Sequence, residues 1–143
     1  MDAKGQIVKA MAVIRRPGDG AVLVSENTDP VGRLFHRPLG GHVELGEYAL
    51  DTVHREFQEE IRQRLTGVAL LGVLENIFTW EGAVRHEIVF MFTASFADAA
   101  AYEIAEQPIL DDVNGCRVIW RPSPASGPPL YPDGLADLIA QAG

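Results

Sequence analysis

The sequence predicts an α/β fold: a mixed β-sheet with helices packed on its faces. Two observations carry that reading. Strand-like and helix-like apolar periods follow one another in the order strand pair, loop, helix, strand pair, strand, helix. The chain has 143 residues, 47% hydrophobic and 22% charged, which suits one globular domain over 1–143 with a core of ordinary size.

The elements can be taken in order. Residues 6–16 alternate loosely and are rich in Val, Ile and Ala, so they read as a strand. Pro17-Gly18-Asp19-Gly20 is a turn signal and 21–25 is a short apolar return strand, giving a predicted hairpin. Residues 26–30 are polar and turn-forming. A brief strand over 34–37 leads to Pro38, which biases its neighbour away from helix. A loop containing Gly40, Gly41 and Gly46 then delivers the chain into a helix. Gly46 is the expected N-cap, with Glu47 in the first turn. Leu50, Val53, Phe57, Ile61 and Leu65 fall on one apolar stripe suited to a core.

Beyond Gly67 come two strand-like runs, 68–80 and 83–96, with Glu81-Gly82 as the turn between them. Residues 97–108 break the pattern and suit a short helix or a loop. Asp111-Asp112 precedes a last strand over 116–121, and 123–132 is a Pro/Gly/Ser-rich connector. Leu135, Leu138, Ile139 and Ala142 mark a short amphipathic helix over 135–142.

The net charge of −8 argues against a long nucleic-acid partner, which demands clustered Lys and Arg to displace counterions. A small polyphosphate remains compatible if metal ions offset its charge locally. The single cysteine, Cys116, excludes an intrachain disulfide, suits a cytoplasmic location and reads as a buried spectator thiol. No stretch approaches the roughly 20 apolar residues that span a bilayer, so no membrane association is expected. A homodimer is the default expectation for a soluble chain.

The most informative stretch is 38–63. At about 100° per residue, Glu59 and Glu60 lie within roughly 60° of Glu56 on one helical face. Like charges at these spacings are each unfavourable by about 0.2–0.5 kcal/mol, so the face is no stability device. It is either a solvated acidic surface or a site for a hard cation, which takes oxygen ligands. The preceding loop decides between them. Gly41, Glu47, Arg55, Glu56, Phe57, Glu59 and Glu60 stand at the spacing of the signature box of the Nudix hydrolases, which this chain resembles. The pattern departs at its end, where the family has glycine and an apolar residue and this chain has Arg62 and Gln63. That departure predicts a helix about one turn longer, with Gly67 as the next terminator.

The resemblance implies an α/β/α sandwich and hydrolysis of a nucleoside diphosphate derivative with Mg²⁺, or Mn²⁺ in its place. It implies metal ligation by Glu56, Glu60 and the Gly40 carbonyl, with Glu59 completing the cluster or orienting water. Glu47 and Arg55 would fix the loop, and Gly41 belongs to the same supporting set. The general base is taken in the family from the box or from a later loop, leaving Glu59 on one side and Glu103 or Glu106 on the other. For the substrate, Phe35, Phe78 and Trp80 are available to stack on a nucleobase, and Glu44 lies inside the loop. His36, His42, His54 and His86 lack paired metal-ligand spacing. The competing reading is a non-catalytic Nudix domain that senses a nucleotide. Every box carboxylate is present, which favours the enzyme.

Overall fold

Strand β1 (Ile7–Ile14) is buried from both sides, and its alternation shows how the layers stack. The computed structural model describes residues 5–110, 112 and 115–142. Ala10, Ala12 and Ile14 face a cluster containing Val53, Phe57 and Ile61 of helix α1 (Ala49–Ile61). Met11 and Val13, pointing the other way, meet Leu135 and Ile139 of helix α2 (Leu135–Ala142). Apolar residues on both faces of one strand give the expected α/β/α arrangement.

The remaining strands are β2 (Val22–Thr28), β3 (Leu34–Arg37), β4 (Leu39–His42), β5 (Leu65–Trp80), β6 (Ala83–Phe96), β7 (Glu106–Pro108) and β8 (Arg117–Arg121). They form two four-stranded sheets, ordered β4-β1-β6-β5 and β3-β2-β8-β7. The first is mixed, because β1 and β6 run parallel while β1–β4 and β5–β6 are antiparallel. The second is antiparallel throughout. The β5–β6 hairpin closes at Glu81 and Gly82, both at positive φ (51° and 80°), as the tight two-residue turn requires. No described helix is long and apolar enough to cross a membrane.

Several local expectations are corrected. The first two strands do not form a ladder: a single bridge, Arg15 to Val22, joins them before they diverge into separate sheets. Each is already flanked on both sides, β1 by β4 and β6, β2 by β3 and β8. Strand β2 runs on through the predicted turn to Thr28, because its polar residues have cross-strand partners. Glu26 bonds His36 and Arg117, and Asn27 accepts from Cys116 at the start of the β8 segment. Residues 97–108 resolve into a 3₁₀ segment at Ala99–Glu103, capped by Asp98, followed by β7. Asp111 lies outside the described residues.

The helix limits also shift. Tyr48, not Gly46, is the N-cap, so Glu47 precedes the helix. Leu50 is 44% exposed; Thr52 is fully buried instead, its hydroxyl donating to Glu47. The C-terminus comes early. Arg62 adopts the left-handed conformation (φ 56°, ψ 42°), and the amides of Arg62 and Gln63 close back on Gln58 and Phe57. Gly67 is no terminator but sits inside β5, at a register irregularity between Thr66 and Ala69. The early stop frees Leu65 to begin β5 and pack beneath α1. A side chain in this conformation costs roughly 1–2 kcal/mol. Arg62→Gly should therefore raise unfolding stability by about 0.5–1 kcal/mol after glycine's extra entropy loss, read as a higher denaturation midpoint at unchanged m-value.

Candidate active site

Arg55 projects from α1 toward the chain that enters the helix. Its Nε donates to Glu47 Oε2 at 2.9 Å and its Nη2 to Glu47 Oε1 at 3.0 Å, a two-point fork. Nη2 also reaches the His42 carbonyl at 3.1 Å. Nη1 spans Glu56 Oε2 at 2.9 Å and Glu59 Oε1 at 3.1 Å. Glu47 further accepts from Thr52 Oγ1 at 2.7 Å and from the Glu44 amide at 3.2 Å. Hydrogen bonds from Arg55 first, then Thr52, hold the Glu47 carboxyl down to about 2. The same partner raises Arg55 further above its ordinary value.

Gly40 and Gly41 lie in β4 rather than in a loop, paired with Met11 and Ala10 of β1. Glycine weakens a strand unless something approaches closely, and here two different groups do. A Cβ on Gly40 would fall 2.1 Å from the Ala10 carbonyl oxygen and 2.6 Å from Met11 Cα. A Cβ on Gly41 would fall 2.5 Å from Glu56 Cδ and 2.7 Å from both carboxylate oxygens. Gly41 is thus the cradle in which the Glu56 carboxylate lies.

Glu56, Glu60, Gly40 and Gly41 line one cleft of about 350 Å³. Glu60 Oε1 is shielded from solvent, and the Glu60 carbonyl accepts from the Leu110 amide at 2.9 Å. Glu59 stands on the flank with 48% of its side chain exposed, tied to Glu56 through the shared Arg55 nitrogen. Among the described residues no three acid, His or Cys side chains already converge in a ligating arrangement. The cleft nevertheless presents the two α1 carboxylates, with Asp112 also in its lining, and backbone oxygen beside a cradle kept open by Gly41. That donor set fits a hard divalent ion, which typically takes one or two carboxylates plus substrate phosphates.

Other predicted site residues lie elsewhere. Glu106 is ion-paired with Arg117 at 2.7 Å, and Glu103 is exposed at the end of the 3₁₀ segment; neither lines the cleft. Phe35 is buried edge-on against Trp80 and Tyr131, at 6.0 and 5.7 Å between ring centres. Neither it, Trp80, Phe78 nor the exposed Glu44 lines the cleft. The cleft wall is instead polar: Lys9, Ser25, Asn27 and Arg37. The missed signal was a lysine inside the apolar run 7–14 and a Ser-Glu-Asn run continuing a Val/Leu strand. Cys116 donates to Asn27 Oδ1 at 3.1 Å, and burial with the nearby Asp112 pushes its thiol up to about 11. It stays protonated at neutral pH and is no nucleophile. His36 is buried between Glu26 and Arg121, a structural position.

The NUDIX domain matches this chain over residues 6–122. It belongs to the Nudix family. Nudix membership makes it a hydrolase acting on pyrophosphate bonds. Among solved structures, a MutT NUDIX hydrolase from Burkholderia pseudomallei is 21% identical, with 98% of this chain and 100% of that one aligned at a TM-score of 0.68. The dihydroneopterin triphosphate pyrophosphohydrolase of E. coli is 19% identical over 94% and 92%, at 0.65. At such identities the likeness is one of fold. No curated protein matches the chain. The position at which this Nudix box departs from the pattern, Arg62, is where the helix nevertheless ends.

Two outcomes follow from this geometry. Gly41→Ala should displace the Glu56 carboxylate and abolish divalent-ion binding by calorimetry, while circular dichroism stays unchanged; retained binding would exclude the cradle role. Because the folded-state value of Glu47 is depressed from 4.5 to about 2, its contribution is present above the ordinary value and lost as pH falls. The melting-temperature gap between wild type and Glu47→Gln should hold above pH 5 and close between about pH 4 and 2; a gap constant to pH 2 would contradict it.

Proposed function

We propose that this Nudix domain is a Mg²⁺-dependent pyrophosphohydrolase that cleaves the diphosphate linkage of a nucleoside diphosphate derivative by attack of water at phosphorus. The observation that carries the reading is the presence of Glu56 and Glu60 on one cleft wall, with Gly41 leaving room for the first. Glu56, Glu60 and the Gly40 carbonyl would hold the ion, Mg²⁺ or Mn²⁺. When bound, it neutralises diphosphate charge and polarises a phosphoryl oxygen.

The protein's own part is positioning, since displacement at phosphorus leaves little covalent work to side chains. Arg55 holds Glu56 in the cradle and ties the half-exposed Glu59 beside it. Glu59 orients the attacking water and takes its proton in this reading. Glu103 and Glu106 are the weaker candidates for that base, because Glu59 is held beside Glu56 through Arg55, whereas Glu106 is paired with Arg117 and Glu103 stands exposed on the 3₁₀ segment. The net charge of −8 fits a small substrate whose phosphates are metal-neutralised better than a long nucleic acid. The single cysteine is in keeping with a cytoplasmic protein.

The test is a panel of nucleoside triphosphates, ADP-ribose, nucleotide sugars and dinucleoside polyphosphates, each with Mg²⁺ and Mn²⁺. Wild type should release phosphate or nucleotide from at least one, chelation should stop it, and Glu60→Gln should reduce it to background with an unchanged melting curve. Full activity of Glu60→Gln would remove the assignment. Tight metal-dependent binding without turnover across the panel would replace the hydrolase with a nucleotide sensor.

A further inference from the structure

Each of the two sheets has two outer strands, and these four edges are not alike. Strand β4 has four residues. Strand β3 also has four, ends in Arg37, and is met by Leu130 of the connector through a bridge to His36. Strand β7 has three and ends in Pro108. Short length, charge, proline and a covering loop are the means by which an edge avoids pairing with another chain. The fourth edge, β5, has 16 residues, with no proline, lysine or arginine among them.

The two halves of β5 differ. Register irregularities between Thr66 and Ala69 and between Leu70 and Gly72 interrupt the first half, and such bulges twist an edge away. Over residues 72–80 the ladder with β6 is regular, a length of roughly 30 Å. Among the described residues, the backbone there makes no hydrogen bond except those to β6, so its outward N–H and C=O groups stand free. The one charged side chain of this stretch, Glu75, is bonded to His86 at 2.7 Å. Val73 and Ile77, on the same side of the strand as Glu75, are each more than half exposed, because a neighbouring strand flanks them on one side only.

We propose that β5 is the interface between two copies of this chain, which pair residues 72–80 antiparallel across a two-fold axis and join their four-stranded sheets into one of eight. The stretch is centred on Asn76. Self-pairing about that residue sets Val73 opposite Thr79, Leu74 opposite Phe78 and Glu75 opposite Ile77, so the acid never faces itself. A strip roughly 30 Å long and about 15 Å high, strand and side chains together, buries on the order of 1,000 Å² over both partners, the level a specific interface reaches. Each chain has one such edge, so the assembly closes at two. The candidate active site lies toward the opposite edge of the sheet, on β4 and α1, and stays open in the pair.

Light scattering on wild type at about 100 μM should give twice the chain mass, since interfaces of this kind hold with micromolar or tighter affinity. The double variant Val73→Lys, Ile77→Lys places charge at two exposed positions, so its circular dichroism should match wild type. Its dimer should dissociate at least about 30-fold more readily, the loss expected of central interface positions. Hydrogen exchange on wild type needs no variant and locates the contact: amides within 72–80 should exchange more slowly at about 100 μM than at about 1 μM. Should the double variant fail to fold, Ile77→Lys alone and this dilution series carry the test. A single-chain mass at the higher concentration overturns the proposal. So does a dimer indifferent to the substitutions, an exchange rate over 72–80 that ignores concentration, or an assembly larger than two.

Discussion

The guanidinium of Arg55 has five N–H donors, and each has an acceptor: two on Glu47, one on the His42 carbonyl, one on Glu56 and one on Glu59. No other side chain could satisfy that set. A lysine has three donors around one point and cannot span the entry loop, the β4 carbonyl and two helix carboxylates together. The consequence is that three separately encoded pieces, β4, the loop after it and α1, have one geometry relative to each other. Every later feature of the site presupposes it, because Glu56 meets Gly41 only if helix and strand are locked at this distance.

The acidic face itself works against folding, and magnitudes show why it is tolerated. Glu56–Glu59 and Glu56–Glu60 are like-charge pairs at i,i+3 and i,i+4, unfavourable by about 0.2–0.5 kcal/mol each. On the opposite face, Val53, Phe57 and Ile61 are buried against β1 and its neighbours. Burying such side chains is favourable by about 1.5–3 kcal/mol each, several-fold more than the repulsion. The core therefore sets the rotation of α1, and the carboxylates are carried to the cleft by that rotation. Arg55 then offsets much of the repulsion that remains.

What was legible in the sequence was local. The Glu81-Gly82 turn, the two long strands, the terminal helix and the spacing of the box depend on neighbours within a few residues, and they stand where the pattern put them. What was not legible depends on distant partners. Strands β1 and β2 read as a hairpin because their turn is a good one, yet each has both sides occupied by strands far away in sequence. Gly40 and Gly41 read as loop because glycine is a poor strand former; the reason for them is the close approach of the β1 backbone and of Glu56. The early helix end was missed for a related reason. Packing of Leu65 under α1 outweighs the conformational cost at Arg62.

The aromatic residues illustrate the same division at the level of function. Phe35 packs edge-on with both Trp80 and Tyr131, joining β3 to the end of β5 and to the connector that precedes α2. They stiffen the frame, and in doing so Phe35 gives Arg37 a ring to rest on. Polar residues in apolar strands proved the better guide to the cleft than aromatic ones. A lysine at position 9 costs the sheet a core residue and requires Glu87 to neutralise it. An apolar residue there would cost nothing of the kind. Its placement on the wall of the cleft that Glu56 and Glu60 also line puts this expense at the candidate site and not in the core.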